Sequence, residues 1–205
     1  MQGLVQLFQH PAGKRSSALE GRTPIASGQI EAIGPVAVKV YTRGGLINHV
    51  TRHHYLRTGK TRCQKEFEML AAARQFGISV PDPIAYAYRG RLIYRGWLVT
   101  REVHRPLNLA QLCITDEKRC RPALVALADQ ICRMVDHQLI HVDLHPGNVL
   151  IDDTDRVYIV DFDRARIDNW SQTKLRRHYI SRWNRAVVKH SLPSLLSDGL
   201  RAHFA

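Results

Sequence analysis

Three residues in one short stretch carry the means for chemistry on a charged substrate. Asp143 lies in the run His141–Asp152, HVDLHPGNVLID, and Asn148 follows five positions later. Asp161, in Val157–Asp163 (VYIVDFD), comes eighteen positions after Asp143. They stand at the ends of otherwise apolar segments, VLI and VYIV. An ionised carboxylate removed from water without a partner is strongly destabilised, so a positive charge is expected to meet this set. The two apolar segments read as a β-hairpin. A hairpin returns the chain to its start, which brings Asn148 and Asp161 together with Asp143 facing the same space. Two hard oxygen donors beside a free carboxylate suit Mg²⁺ on a polyphosphate, with a hydroxyl presented to the terminal phosphoryl group.

HVDLHPGN resembles the catalytic loop of protein kinases, and DFD stands where that fold carries its metal-binding DFG. A lone HxD is a weak signal. D-x4-N followed by a hairpin and DFD is a specific one. The resemblance implies an α+β, two-lobed protein-kinase-like fold with a minimal C-terminal lobe. It implies Asp143 as the catalytic residue, Asn148 and Asp161 as metal ligands, and ATP and Mg²⁺ as cofactors. It further implies a lysine on a small-lobe strand that reaches the α- and β-phosphates, and Lys39 in VAVKVY qualifies. An acid on the following helix should hold that lysine. Glu66 and Glu68 both lie there, and alignment with the family selects Glu66. The glycine-rich loop is degenerate: SGQIEAIGPVAVKV offers Gly28 and Gly34 but no GxGxxG. Backbone N–H groups near Gly28 are expected to cover the phosphates. No APE-like element follows Asp161 and little chain follows residue 190, which disfavours an ordinary protein kinase.

A finer resemblance covers roughly residues 28–190. VKVYTRGGL, TRHHYLRTGKTRCQKEFEML, SVPDPIAY and VYIVDFDRAR are similar to the bacterial 3-deoxy-D-manno-octulosonic acid (Kdo) kinases of the lipopolysaccharide-core kinase group. That family implies ATP-dependent phosphorylation of the inner-core Kdo sugar on lipid A. It places the protein peripherally at the cytoplasmic face of the inner membrane of a Gram-negative bacterium. An acceptor bearing phosphates and sugar carboxylates would meet Arg43, Arg52, Arg57, Lys60 and Arg62, with His53, His54 and Tyr55 among them. Arg43 and Arg57 are acceptor-binding candidates, as are Arg164 and Arg166 just past Asp161. The latter two are equally suited to tying down their own loop by ion pairs. The same core admits other acceptors, such as a heptose or an aminoglycoside, and a nucleotide-binding pseudokinase is the non-enzymatic alternative.

These residues need elements to hold them. Residues 1–27 read as a loosely ordered leader, 28–104 as a β-rich N-terminal lobe with one helix, and 105–205 as a helical C-terminal lobe with the catalytic loop. Residues 28–42 read as a hairpin with a turn at Gly34-Pro35. A helix is expected over 61–76, with Phe67, Leu70, Ala71 and Arg74 on one face and Gly77 as its stop. Strands follow at 84–89 and 92–103 around Arg89-Gly90-Arg91. A long helix is expected over 117–139, with Leu124, Leu127, Ala128, Ile131 and Val135 at helical spacing and Thr115 or Asp116 as cap. A basic helix is expected over 170–190.

The 205 residues carry 30 Lys+Arg against 18 Asp+Glu, a formal net charge of +12, and arginine outnumbers lysine by 23 to 7. Guanidinium forks match phosphate and carboxylate oxygens, so an anionic partner is expected. Nucleic acid is disfavoured, because neither zinc-ligand spacing nor a helix-turn-helix or RNA-binding aromatic signature accompanies the charge. Cys63, Cys113, Cys120 and Cys132 form no CxxC pair and read as free thiols. The first residues do not read as a secretory signal, and no apolar run is long enough to read as a membrane span.

Overall fold

Val36 and Val38 on one strand, with Val99 opposite Val38 on its neighbour, are fully buried and mark the inner face of a sheet. β-branched side chains fit a pleated surface buried on one face. The computed structural model describes residues 14–15, 25–41, 55–56 and 59–204, and these divide into two compact units. The first comprises Met1–Ala71 with Asp82–Glu102, and the second Ala72–Pro81 with Val103–Ala205.

In the first unit the strands are β1 (Lys14–Arg15), β2 (Ile25–Ile30), β3 (Gly34–Val40), β4 (Tyr55–Leu56), β5 (Pro83–Arg89) and β6 (Ile93–Arg101). They form one antiparallel sheet in the order β1-β2-β3-β6-β4, with β5 on the other side of β6. Ala26, Val36, Val38 and Val99 make its core, and Ile30, Ile33, Ile84, Ala85 and Trp97 pack against them. Helix α1 (Arg62–Gln75) begins at the fully buried Thr61, whose hydroxyl accepts from the Gln64 N–H. It stops at Gly77, which takes φ +72 and lets the Ile78 N–H reach the Ala73 carbonyl.

In the second unit β7 (Leu107–Asn108) leads into α2 (Leu109–Thr115) and α3 (Glu117–Asp136). Then come β8 (Leu139–Ile140), a 3₁₀ turn at Pro146–Asn148, β9 (Val149–Ile151), β10 (Val157–Ile159), β11 (Arg166–Ile167), α4 (Gln172–Lys189) and α5 (Leu195–Phe204). β9 pairs with β10 and β7, and β8 pairs with β11. Cys120, Leu124, Leu127, Ile131, Met134 and Val135 form the buried stripe of α3. The buried Gln130 on that helix accepts from the Ser79 N–H and donates to the Val157 carbonyl, so it fixes where β10 begins.

The fold departs from sequence expectation at several points. β2 starts at Ile25, three residues before the expected hairpin, and Lys14–Arg15 of the expected leader pairs with it. The β2–β3 turn is Glu31–Ile33, and Gly34 (φ +92) and Pro35 already belong to β3. The buried side of α1 is Cys63, Glu66, Leu70 and Ala73, whereas Arg74 is exposed. Periodicity counted apolar residues and so passed over Glu66, whose burial depends on a partner from another strand. The α3 helix ends at Asp136 because Gln138 turns into the left-handed region at φ +53. Helices α2 and α5 were not expected. The Asn108/Gln111 capping box was the available signal for α2.

Candidate functional site

Strand alternation puts Lys39 and Tyr41 on one face of the chain leaving β3. Glu66 meets both. Its Oε1 and Oε2 each lie 2.9 Å from Lys39 Nζ, and the Tyr41 hydroxyl donates to Oε2. The Lys39 and Glu66 side chains are 18% and 3% exposed, so the pair is nearly dry. Burial, reinforced by the Glu66 carboxylate, pushes the Tyr41 phenol far above its ordinary range, so it stays a donor. Lys39 Nζ also lies 5.3 Å from the Tyr41 ring centroid. Glu68 does not compete for Lys39: it lies on the exposed side of α1 and pairs with Lys60 at 2.8 Å.

The second unit gathers the loop and the hairpin. His145 caps the 3₁₀ turn with its own ring, Nδ1 accepting from the Gly147 N–H at 3.1 Å, and Pro146 follows with φ already set for a turn. That turn buries Asn148 completely. Asn148 Nδ2 donates to the Asp143 carbonyl at 2.8 Å, and its Oδ1 has no hydrogen-bond partner among the described residues. The Val160 N–H donates to the Asn148 carbonyl at 2.9 Å, which brings Asp161 to the end of the hairpin beside Asn148. Asp161 takes φ +69, a conformation that aspartate tolerates better than most residues and that turns the chain sharply after β10. Phe162 is buried and meets the His141 ring edge-on, with centroids 4.8 Å apart. His141 Nε2 is 3.0 Å from the Val160 carbonyl, so that nitrogen carries the proton. Burial holds the His141 imidazole below its ordinary range, against the opposing pull of Val160, Asp161 and Asp143.

The structure therefore brings Lys39 to Glu66, and Asn148 to the Asp143 backbone and the Asp161 end of the hairpin. Gly28 is no loop glycine: it lies within β2 opposite Val36. Arg164 is exposed. Arg166 lies in β11 opposite Ile140, with its guanidinium 3.4 Å from Asp168 and 5.7 Å from the Trp170 ring. That arrangement is the loop-tying alternative. Arg43 and Arg57 lie outside the described residues, as do Arg52, His53 and His54. Two further residues escaped sequence reading. Tyr41 had a signal in its i+2 spacing from Lys39. Arg182, whose Nη2 donates to Asp143 Oδ1, had none.

Asn148 Oδ1 is a buried acceptor with no donor among the described residues, and with the Asp161 carboxylate it offers hard oxygen chemistry that fits a small divalent cation. Among the described residues no group of three or more His, Cys, Asp or Glu gathers that could hold a metal ion.

Residues 8–197 match the family described as the lipopolysaccharide kinase (Kdo/WaaP) family, and the chain belongs to this family of phosphotransferases. Among its relatives is a 3-deoxy-D-manno-octulosonic acid kinase of Photobacterium profundum, 31% identical over 187 residues, which are 89% of this chain and 77% of that protein. Kinases of the same name from Vibrio cholerae and Vibrio parahaemolyticus are 34% and 33% identical, each over 69% of this chain. The match spans 62% and 61% of those two proteins' own length.

Proposed function

We propose that the chain is an ATP-dependent kinase that phosphorylates a hydroxyl of a Kdo residue in the lipopolysaccharide inner core attached to lipid A, in a two-lobed protein-kinase-like fold. The supporting observation is the Asp143–Asn148–Asp161 arrangement, with a buried Asn148 oxygen that meets no donor among the described residues. The Lys39–Glu66 pair adds to it. The sheet order β1-β2-β3-β6-β4 and the family membership favour the same fold.

In the first unit Lys39, held by Glu66, orients the α- and β-phosphates of ATP. In the second, Asn148 Oδ1 and Asp161 are the residues that would hold Mg²⁺. When bound, Mg²⁺ supplies positive charge that neutralises the phosphate oxygens. Asp143 aligns the acceptor hydroxyl. The sugar oxygen forms its bond to the γ-phosphorus as the bond to the β,γ-bridging oxygen breaks. ADP leaves with that electron pair, and the hydroxyl proton passes to Asp143 or to solvent. Rate enhancement comes from positioning and charge stabilisation, without a covalent enzyme intermediate.

The acceptor is a lipid, and we place the enzyme peripherally at the cytoplasmic face of the inner membrane of a Gram-negative bacterium. Helix α4 carries Lys174, Arg176, Arg177, Arg182, Arg185 and Lys189 and no acid, a charge balance suited to an anionic leaflet. Among the described residues no helix is long and apolar enough to cross a membrane.

Purified protein given Mg-ATP and a Kdo-bearing lipid A precursor should yield a phosphorylated lipid by mass spectrometry, and Asp143→Ala should not. A panel with aminoglycosides and heptosyl-core acceptors tests the choice of acceptor. Turnover only on a member of that panel would overturn the Kdo assignment.

A further inference from the structure

Helix α4 reaches the catalytic loop twice. The buried Tyr179 hydroxyl accepts from the His141 N–H at 3.0 Å and donates to the Leu139 carbonyl, pinning the backbone just before the loop. Three residues further along the helix, Arg182 Nη2 donates to Asp143 Oδ1. The helix is seated by Leu175, Tyr179, Trp183, Ala186 and Val187, all buried, so the guanidinium is delivered from a fixed support. Arg182 Nε is buried with no hydrogen-bond partner among the described residues, so the ion pair is the contact that orients this side chain. The backbone of Asp143 is held independently by Asn148 Nδ2. The Arg182 and Asp143 side chains remain 33% and 44% exposed, so an incoming molecule can reach the pair.

We infer that Arg182 is a positioning residue for Asp143: it fixes the carboxylate through Oδ1 and leaves Oδ2 to the acceptor hydroxyl. Phosphoryl transfer depends on alignment more than on strong base catalysis. A misplacement of about 1 Å costs roughly 100-fold in rate. An unclamped aspartate at 44% exposure would spread over its rotamers and spend little time aligned. Arg182 is one of six cations on α4, and nothing in the sequence separates it from the other five. Its partner lies 39 positions away.

The inference rests on the assignment of Asp143 to the acceptor hydroxyl, and the experiment separates the two. Arg182→Gln, Arg182→Lys, Asp143→Asn and the double variant Asp143→Asn/Arg182→Gln are assayed with Mg-ATP and the Kdo-bearing lipid A precursor, alongside thermal unfolding. Arg182→Gln should lower kcat about 10- to 100-fold, with KM for both substrates within about threefold of the parent. Arg182→Lys, which restores the cation, should recover most of the rate. In the Asp143→Asn background the loss of Arg182 should cost nothing further. A folded Arg182→Gln enzyme with parental kcat overturns the inference, as does a rise in KM alone or an additive loss in the double variant. Parental activity in Asp143→Asn would instead remove the reading on which it rests. Arg182→Met keeps the aliphatic stem and is read by the same criteria if the glutamine variant does not fold.

Discussion

Glu66 shows how a charged residue comes to be buried. Its carboxylate is 3% exposed yet bonded by both a cation and a phenol. Intact, such a pair is tolerated, but with one partner removed the other charge is stranded. Lys39→Met should therefore cost on the order of 3 kcal/mol in chemical denaturation. Adding Glu66→Leu should return part of that loss, and a double variant as unstable as the sum of the singles would contradict the pairing. Asp152 is the acid-sensitive counterpart in the β9–β10 turn. Burial by itself would raise its carboxyl, but bonds from the Thr154 hydroxyl and from the Arg156 and Thr154 N–H groups outweigh that and hold it below the usual carboxylate range. A depressed folded-state value means stability that is present above the unfolded value of about 4 and is lost as pH falls through the folded one. Asp152→Asn should remove that contribution. Its melting temperature should sit below the parent's at pH 7 and converge with it in acid, and a constant gap across that range would show that the carboxylate charge is irrelevant.

At the level of elements, the hairpin of β5 and β6 hinges on Gly90. Its φ is +116, and a Cβ there would lie 2.0 Å from the Ile93 carbonyl oxygen. Gly90→Ala should destabilise the first unit by about 2 kcal/mol or more, measured by urea unfolding, because both the backbone angle and the carbonyl oppose it. The sequence announced this turn, as it did the Gly77 stop of α1 and the buried stripe of α3, because glycines and apolar periods act locally. It misplaced the face of α1, because Glu66 belongs to that face only through Lys39 and Tyr41. It extended α3 too far, because the apolar Leu139 and Ile140 continue the run while the chain has already left the helix at Gln138.

Across the whole molecule the charge of +12 is concentrated in part on α4, where Lys174, Arg176, Arg177, Arg185 and Lys189 are exposed. If this face meets an anionic leaflet, retention on vesicles containing phosphatidylglycerol should fall steeply with added salt, since screening shortens to about 3 Å near 1 M. Arg176→Glu with Arg177→Glu should weaken retention at low salt, and vesicle binding indifferent to both salt and charge reversal would count against the peripheral placement. By itself the sequence determined which side chains could do chemistry: the spacing of Asp143, Asn148 and Asp161 around a hairpin, and a lysine within a valine strand, are local facts. The resemblance named Glu66 as the partner of Lys39, and only the tertiary structure added Tyr41 to that pair and gave Asp143 its cation. Tyr41 and Lys39 converge on Glu66 across 25 and 27 positions, and Arg182 reaches Asp143 across 39. Such pairings carry no local signature, because a buried charge is stabilised by whatever the fold brings beside it, and chain separation leaves no trace of that in composition or period.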